Sequence, residues 1–139
     1  MTDITQTPAP ASTPTPTPSS TADPITPNIT SKAIQDILLE RSSQIQIKGY
    51  SLEIDDSGAP GRLAAAGACY AIHSAYTTNL GIGLLGTPEW WPFASDQWKP
   101  KTNRENLVKA GALIIAEIER LDRLAKSTTE SIRNPEQYL

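Results

Sequence analysis

TNRENLVKAGALIIAEIERLDRLA (residues 102–125) reads as one long amphipathic helix, and the rest of the chain is organised around it. Thr102 followed three residues later by Glu105 is a capping box: the hydroxyl takes one orphan backbone amide and the carboxylate reaches back to another, so the helix starts here. Spacing residues by roughly 100° places Leu107, Ala110, Gly111, Ile114, Ile118 and Leu121 along one stripe. Val108 and Ile115 lie on one flank, and Leu113 and Leu124 on the other. The expectation is that this stripe packs inward, with Lys109, Arg120 and Arg123 on the solvated side. Glu117 and Asp122 fall inside the apolar arc, where a carboxylate is costly unless it is paired or bound to a metal.

Upstream, residues 1–30 hold seven of the twelve prolines and twelve Ser/Thr, with no Lys or Arg. Such a segment buries too little to fold and reads as a disordered, partly polyproline-II tether; a PxxP ligand is the functional alternative. It lacks the basic start and apolar run of a signal peptide, and no apolar run approaches the roughly 20 residues of a membrane span. The chain is expected in the cytoplasm. Residues 32–139 carry twelve basic and thirteen acidic side chains. That balance, without a basic patch, argues against duplex nucleic acid as the partner. The single Cys69 excludes an internal disulfide and reads as a small core residue. The domain division is a tail over 1–30, a helical bundle over 31–126 and a polar end over 127–139. Because the core is modest, a homo-oligomer is expected.

A first helix, SKAIQDILLERSSQIQIK (residues 31–48), is capped by Ser31 or Thr30 and stopped by Gly49. Its inner face takes Ile34, Ile37, Leu38 and Ile45, with Arg41 in the middle and Gln44 and Lys48 beside it. A guanidinium there either finds a buried acceptor, with Glu117 and Asp122 as candidates, or snorkels to water. Residues 50–61 read as a loop in which Glu53, Asp55 and Asp56 could hold a hard cation or simply precede a helix, with Pro60 in that helix's first turn. The second helix, residues 61–79, is rich in Ala and Gly and lets another backbone approach closely; Arg62, Cys69 and His73 share one of its sides. Residues 80–101 are broken by Gly and Pro yet hold Trp90, Trp91, Phe93 and Trp98. This segment is either a lid sealing the core or a stacking platform for a planar ligand.

ERSSQ at 40–44, Gly49–Tyr50, Asp55–Asp56, GRLAAAGACYA at 61–71, the WP…WKP loop and NLVKAGALIIAEIERLDR at 106–123 together resemble a family of small phage and prophage proteins. That family in turn resembles the all-α MazG-type nucleoside triphosphate pyrophosphohydrolases. The resemblance implies an all-α bundle of three long helices and a phage-type accessory protein that binds a nucleotide or other small phosphate ligand. It also implies Mg2+ and pyrophosphohydrolase activity if the chain is an enzyme. The sequence departs from the MazG pattern where its carboxylates belong: Arg62 replaces a glutamate, and residues 106–109 carry none. The remaining metal candidates are Glu53, Asp55, Asp56, Glu117 and Asp122, with Glu40 beside them. Arg41, Gln44, Lys48, Arg62, Trp90, Trp91 and Trp98 are the ligand candidates, and no catalytic residue stands out. The alternative is a non-enzymatic interaction protein, a host-defence antagonist or sequestering protein, that uses the Trp-rich loop as its contact surface.

Overall fold

The computed structural model describes residues 8–14 and 24–138. Among the described residues four helices follow one another: α1 (Lys32–Gln46), α2 (Leu52–Ser57), α3 (Arg62–Leu80) and α4 (Asn103–Arg133). Short 3-10 turns lie at Ser95–Gln97 and Pro135–Tyr138, and no strand occurs among the described residues. None of these helices is long and apolar enough to cross a membrane. The described part of the 1–30 segment is free of helix and strand and is exposed; the rest of the expected tether, residues 1–7 and 15–23, lies outside the described residues.

Local chemistry sets the boundaries. Ser31 caps α1, its hydroxyl accepting from the Ile34 amide, and Thr102 with Glu105 forms the full capping box of α4. Residues 50–61 are not a loop throughout: Ser51 accepts from the Ile54 amide and starts α2, which carries all three acids of that stretch. Here Ser51 supplies the cap, and Glu53 and Asp55 complement the positive helix end. Pro60 stands outside α3, whose N-cap is Gly61 at φ 81°. α4 continues two turns beyond residue 125, to Arg133.

α1 and α3 both pack on α4, which is the central element. The approach is close where side chains are smallest. A Cβ on Gly67 of α3 would stand 3.1 Å from the Ala110 carbonyl oxygen, and one on Gly111 would stand 3.0 Å from Ile37 Cδ1. The fully enclosed apolar residues are Leu63, Ala66, Cys69, Tyr70, Ala110, Ala112 and Ala116, four of them alanines.

The expected orientation of α4 holds only in part: Ala110 and Gly111 of the stripe pack against α3 and α1, but the helix is rotated. The middle of its Leu/Ile stripe points outward, with Ile114, Ile118 and Leu121 each about half exposed (47, 52 and 48 %). The inward side carries Asn106, Lys109, Ala112, Ala116 and Arg120, which a hydrophobicity pattern assigns to solvent. Small size decides the matter: Ala112 and Ala116 let neighbouring elements come close, and the charged groups beside them find partners there. Asp122, expected inside the arc, is exposed.

Candidate functional site: a lysine- and aromatic-lined cavity

On the inward side of α4 lies a cavity of about 520 Å³, within the range of small-molecule sites. α1 contributes Glu40, Arg41 and Gln44 and the chain just beyond it Lys48; α2 contributes Ile54 and Asp55; α3 contributes Arg62, Leu63 and Tyr70. The aromatic loop supplies Trp91, Phe93, Gln97, Lys99 and Lys101, and α4 supplies Lys109, Leu113 and Ala116.

Arg41 anchors one wall. It is 5 % exposed. Its Nη2 donates to Asp55 Oδ2 at 3.1 Å and to Glu119 Oε2 at 3.0 Å, and its Nε donates to the same Glu119 oxygen at 3.3 Å. The buried-acceptor reading of Arg41 therefore holds, but with other partners than Glu117 or Asp122. Glu117 instead accepts two hydrogen bonds from Arg120 one turn on, at 2.8 and 2.9 Å, which hold its carboxyl below the ordinary range. Asp56 accepts a bidentate grip from Arg123 with the same effect.

Of the five metal candidates, Asp55, Asp56 and Glu117 are each held by a different arginine, while Glu53 and Asp122 are exposed. They are not brought to one point, and among the described residues no group of three or more His, Cys, Asp or Glu side chains could hold a metal ion. A hard cation needs several oxygens converging on it. As arranged, these side chains do not fit magnesium.

The ligand candidates fare differently. Arg41, Gln44, Lys48, Arg62 and Trp91 all line the cavity. Trp90 is half exposed and outside the lining, and Trp98 packs behind it, its ring 4.7 Å from Tyr70 and 5.5 Å from His73. Trp91 meets Tyr70, Phe93 and Trp98 edge-on at 5.0–5.5 Å. The rings of the loop thus pack around Tyr70 of α3, and Trp91 and Phe93 line the cavity together with Tyr70.

The sequence reading named Lys48 but missed Lys99, Lys101 and Lys109. Six cations line the cavity (Arg41, Lys48, Arg62, Lys99, Lys101, Lys109) against two carboxylates (Glu40, Asp55). Both carboxylates are engaged: Glu40 accepts from Lys48 at 2.6 Å and from Gln44 at 3.3 Å, and Asp55 accepts from Arg41. Arg62, Lys99, Lys101 and Lys109 form no salt bridge among the described residues. Lys109 stands 4.9 Å from the centre of the Tyr70 ring, and burial, followed by the nearby Lys48 charge, pushes its ammonium below the usual lysine range. Arg62 lies over the Phe93 ring at 5.4 Å and donates Nη2 to the Ile54 carbonyl, while its buried Nε has no partner.

Two polar contacts fix the lysine-bearing strip. The buried Asn106 side chain accepts from the Lys101 amide at 2.7 Å and donates to the Lys101 carbonyl at 3.1 Å; Tyr70 Oη accepts from the Lys99 amide at 3.3 Å. The available signal was Ala112 and Ala116 next to Lys109 on the polar arc: small residues on a nominally solvated face mark close packing.

This is an all-α fold with an electropositive, aromatic-walled cavity. Comparison with known proteins adds no relative: no family model, no curated protein and no solved structure matches the chain.

Proposed function

We propose that the chain binds a nucleotide in this cavity, its phosphates toward Lys99, Lys101 and Lys109 and its base against Tyr70, Trp91 and Phe93. The observation that carries the proposal is the set of four cations without a carboxylate partner facing one partly enclosed space beside three aromatic rings. Lys99 and Lys101 are exposed and Lys109 is half-buried, with burial and neighbouring lysine charges disfavouring its ammonium; an anion relieves such crowding. Charge-assisted hydrogen bonds to phosphate are about twice as strong as neutral ones, and an aromatic platform under a base adds about 1–3 kcal/mol. Hydrolysis is not part of the proposal, because both carboxylates in the wall are committed to cations.

Isothermal titration of the full chain with nucleoside mono- and triphosphates and cyclic nucleotides, with and without magnesium, tests this. Binding is expected in the absence of magnesium, with quenching of tryptophan fluorescence. Lys101→Ala together with Lys109→Ala should weaken it at least a hundredfold, since each lost charge-assisted contact is worth about 1.5–3 kcal/mol. No heat with any nucleotide at high protein concentration sinks the proposal.

A contact-surface reading rests on a different observation. Trp90 is half exposed, and Ile82 and Leu85 on the same loop are more exposed still. On that reading Trp90→Ala leaves the melting temperature unchanged and abolishes capture of a protein partner.

A further inference from the structure

The outward stripe of α4 is more than a scatter of exposed side chains. Leu107, Gly111, Ile114, Ile118, Leu121 and Ala125 follow one another at intervals of four, three, four, three and four residues. That alternation is the 3.5-residue repeat by which one helix packs along another. Within the protomer only part of the repeat is used: Gly111 meets Ile37 of α1 and Ile114 reaches the Gly67 position of α3, while Leu107, Ile114, Ile118 and Leu121 all remain about half exposed. On α1, Ile34 and Leu38 are exposed as well. Among the large apolar side chains of the described residues only Leu63 and Tyr70 are fully enclosed within the protomer. A domain that buries alanines and exposes its leucines and isoleucines has left much of its hydrophobic stabilisation unused.

We infer that a second copy of this chain covers the stripe, α4 packing antiparallel on the partner's α4 about a two-fold axis through Ile114. The pattern is self-complementary about that residue. Leu107 and Leu121 stand seven residues on either side, so each lies opposite the partner's copy of the other. Ile118, four residues beyond Ile114, comes level with the partner's Gly111, where it meets the Ile37 side chain that packs on that glycine within each protomer.

Charge agrees with the same register. In an antiparallel pair of this symmetry each flank meets its own copy. Arg104 and Asp122 lie on one flank, ten residues before and eight after Ile114, hence at heights of ~15 Å and ~12 Å from the axis. Arg104 of one protomer therefore meets the partner's Asp122, twice per dimer. Arg104 is half exposed although it pairs with Asp36 at 2.7 Å, and Asp122 has no salt bridge among the described residues.

The area suffices. Three helices side by side at interaxial spacings of 8–10 Å give a face about 25 Å wide, and the stretch from Leu107 to Leu121 makes it about 21 Å long. That is about 500 Å² per protomer and about 1,000 Å² in total, at the threshold for a specific interface. The nucleotide cavity is walled by Lys109, Leu113 and Ala116 on the other side of α4, so both cavities stay open in the dimer. The inference is independent of what the cavity binds.

Sedimentation equilibrium of the full chain is expected to give twice the chain mass. Ile114→Glu with Ile118→Glu should give a monomer, or raise the dissociation constant at least a hundredfold, with helical circular dichroism retained. As a readout that survives a folding failure of that variant, Ile114→Cys should cross-link to itself through a short bismaleimide, whereas Leu39→Cys, exposed on α1 outside this face, should not. A wild-type chain that stays monomeric at several hundred micromolar overturns the inference. So does an oligomer that the double Glu variant leaves intact, or an Ile114→Cys chain that cross-links no better than the Leu39→Cys control.

Discussion

Arg41 shows how far a single residue could be read from its neighbours in sequence. Its place in the middle of an apolar helix face demanded an acceptor, and it has two. Which acceptors was not legible: Asp55 reaches Arg41 only because Ser51 starts an extra helical turn, and Glu119 only because α4 turns its alanine side inward. Arg41→Met removes the cation and leaves Asp55 buried, which should cost about 3–5 kcal/mol. Arg41→Met with Asp55→Leu removes both charges and should recover most of that loss; urea titrations of the two variants make the comparison. Lys109 carries the residue-scale prediction for the cavity. Its pKa lies below the ordinary lysine value, and a bound phosphate favours the charged form and raises it again. Between the free and bound values nucleotide binding therefore takes up a proton. Across that window affinity falls as the pH rises, and above it Lys109 is neutral in both states and the affinity levels off. Titration calorimetry at alkaline pH in two buffers of different ionisation enthalpy reads the uptake directly, and Lys109→Met should abolish it.

At the scale of elements, the start of α4 was legible and its rotation was not. Thr102 and Glu105 mark the boundary by local hydrogen bonds alone, whereas the rotation depends on which side admits close neighbours. Two glycines test that account against each other. A helical Gly→Ala change gains up to about 1 kcal/mol of propensity. At Gly67 the new methyl meets the Ala110 carbonyl oxygen at 3.1 Å, which is backbone and cannot yield without separating α3 from α4. Overpacking of this kind costs about 1–3 kcal/mol, so Gly67→Ala should destabilise. At Gly111 the neighbour is the end of the Ile37 side chain at 3.0 Å. That side chain can change rotamer, so Gly111→Ala should be neutral or stabilising in the isolated protomer. Thermal melts of both at low protein concentration, under 1 µM, decide it. The aromatic loop was half legible in the same sense. Its composition announced a lid or a stacking platform, but not that Tyr70 of α3 would be the ring around which Trp91 and Trp98 gather.

For the whole molecule, the sequence supplied the all-α class and a modest core, and the evenly balanced charge concealed how that charge is distributed. Six of the twelve Lys and Arg line the cavity, while Asp55, Asp56, Glu117 and Glu119 sit on arginines and Glu105 on a helix cap. This distribution fixes the response to acid. Asp36, Asp56 and Glu117 are held below their ordinary values by hydrogen bonds from Lys32 and Arg104, from Arg123 and from Arg120 respectively, and Glu105 by the Thr102 cap. A carboxyl whose folded pKa is depressed is more readily protonated in the unfolded chain, so the unfolded state binds more protons as the pH falls. The stabilisation is complete above the ordinary carboxylate range near pH 4, and it drains away as the pH drops through that range toward the lower folded values. Stability measured by urea midpoint should therefore be flat from pH 7 to about pH 5.5 and fall steeply below about pH 4.5. Arg120→Gln with Arg123→Gln removes two of the cations that depress these carboxyls. It should lower the neutral-pH plateau and flatten the acid limb, bringing the two midpoint curves together at low pH. Curves that stayed parallel down to pH 3 would mean that these arginines do not set the acid limit of the fold.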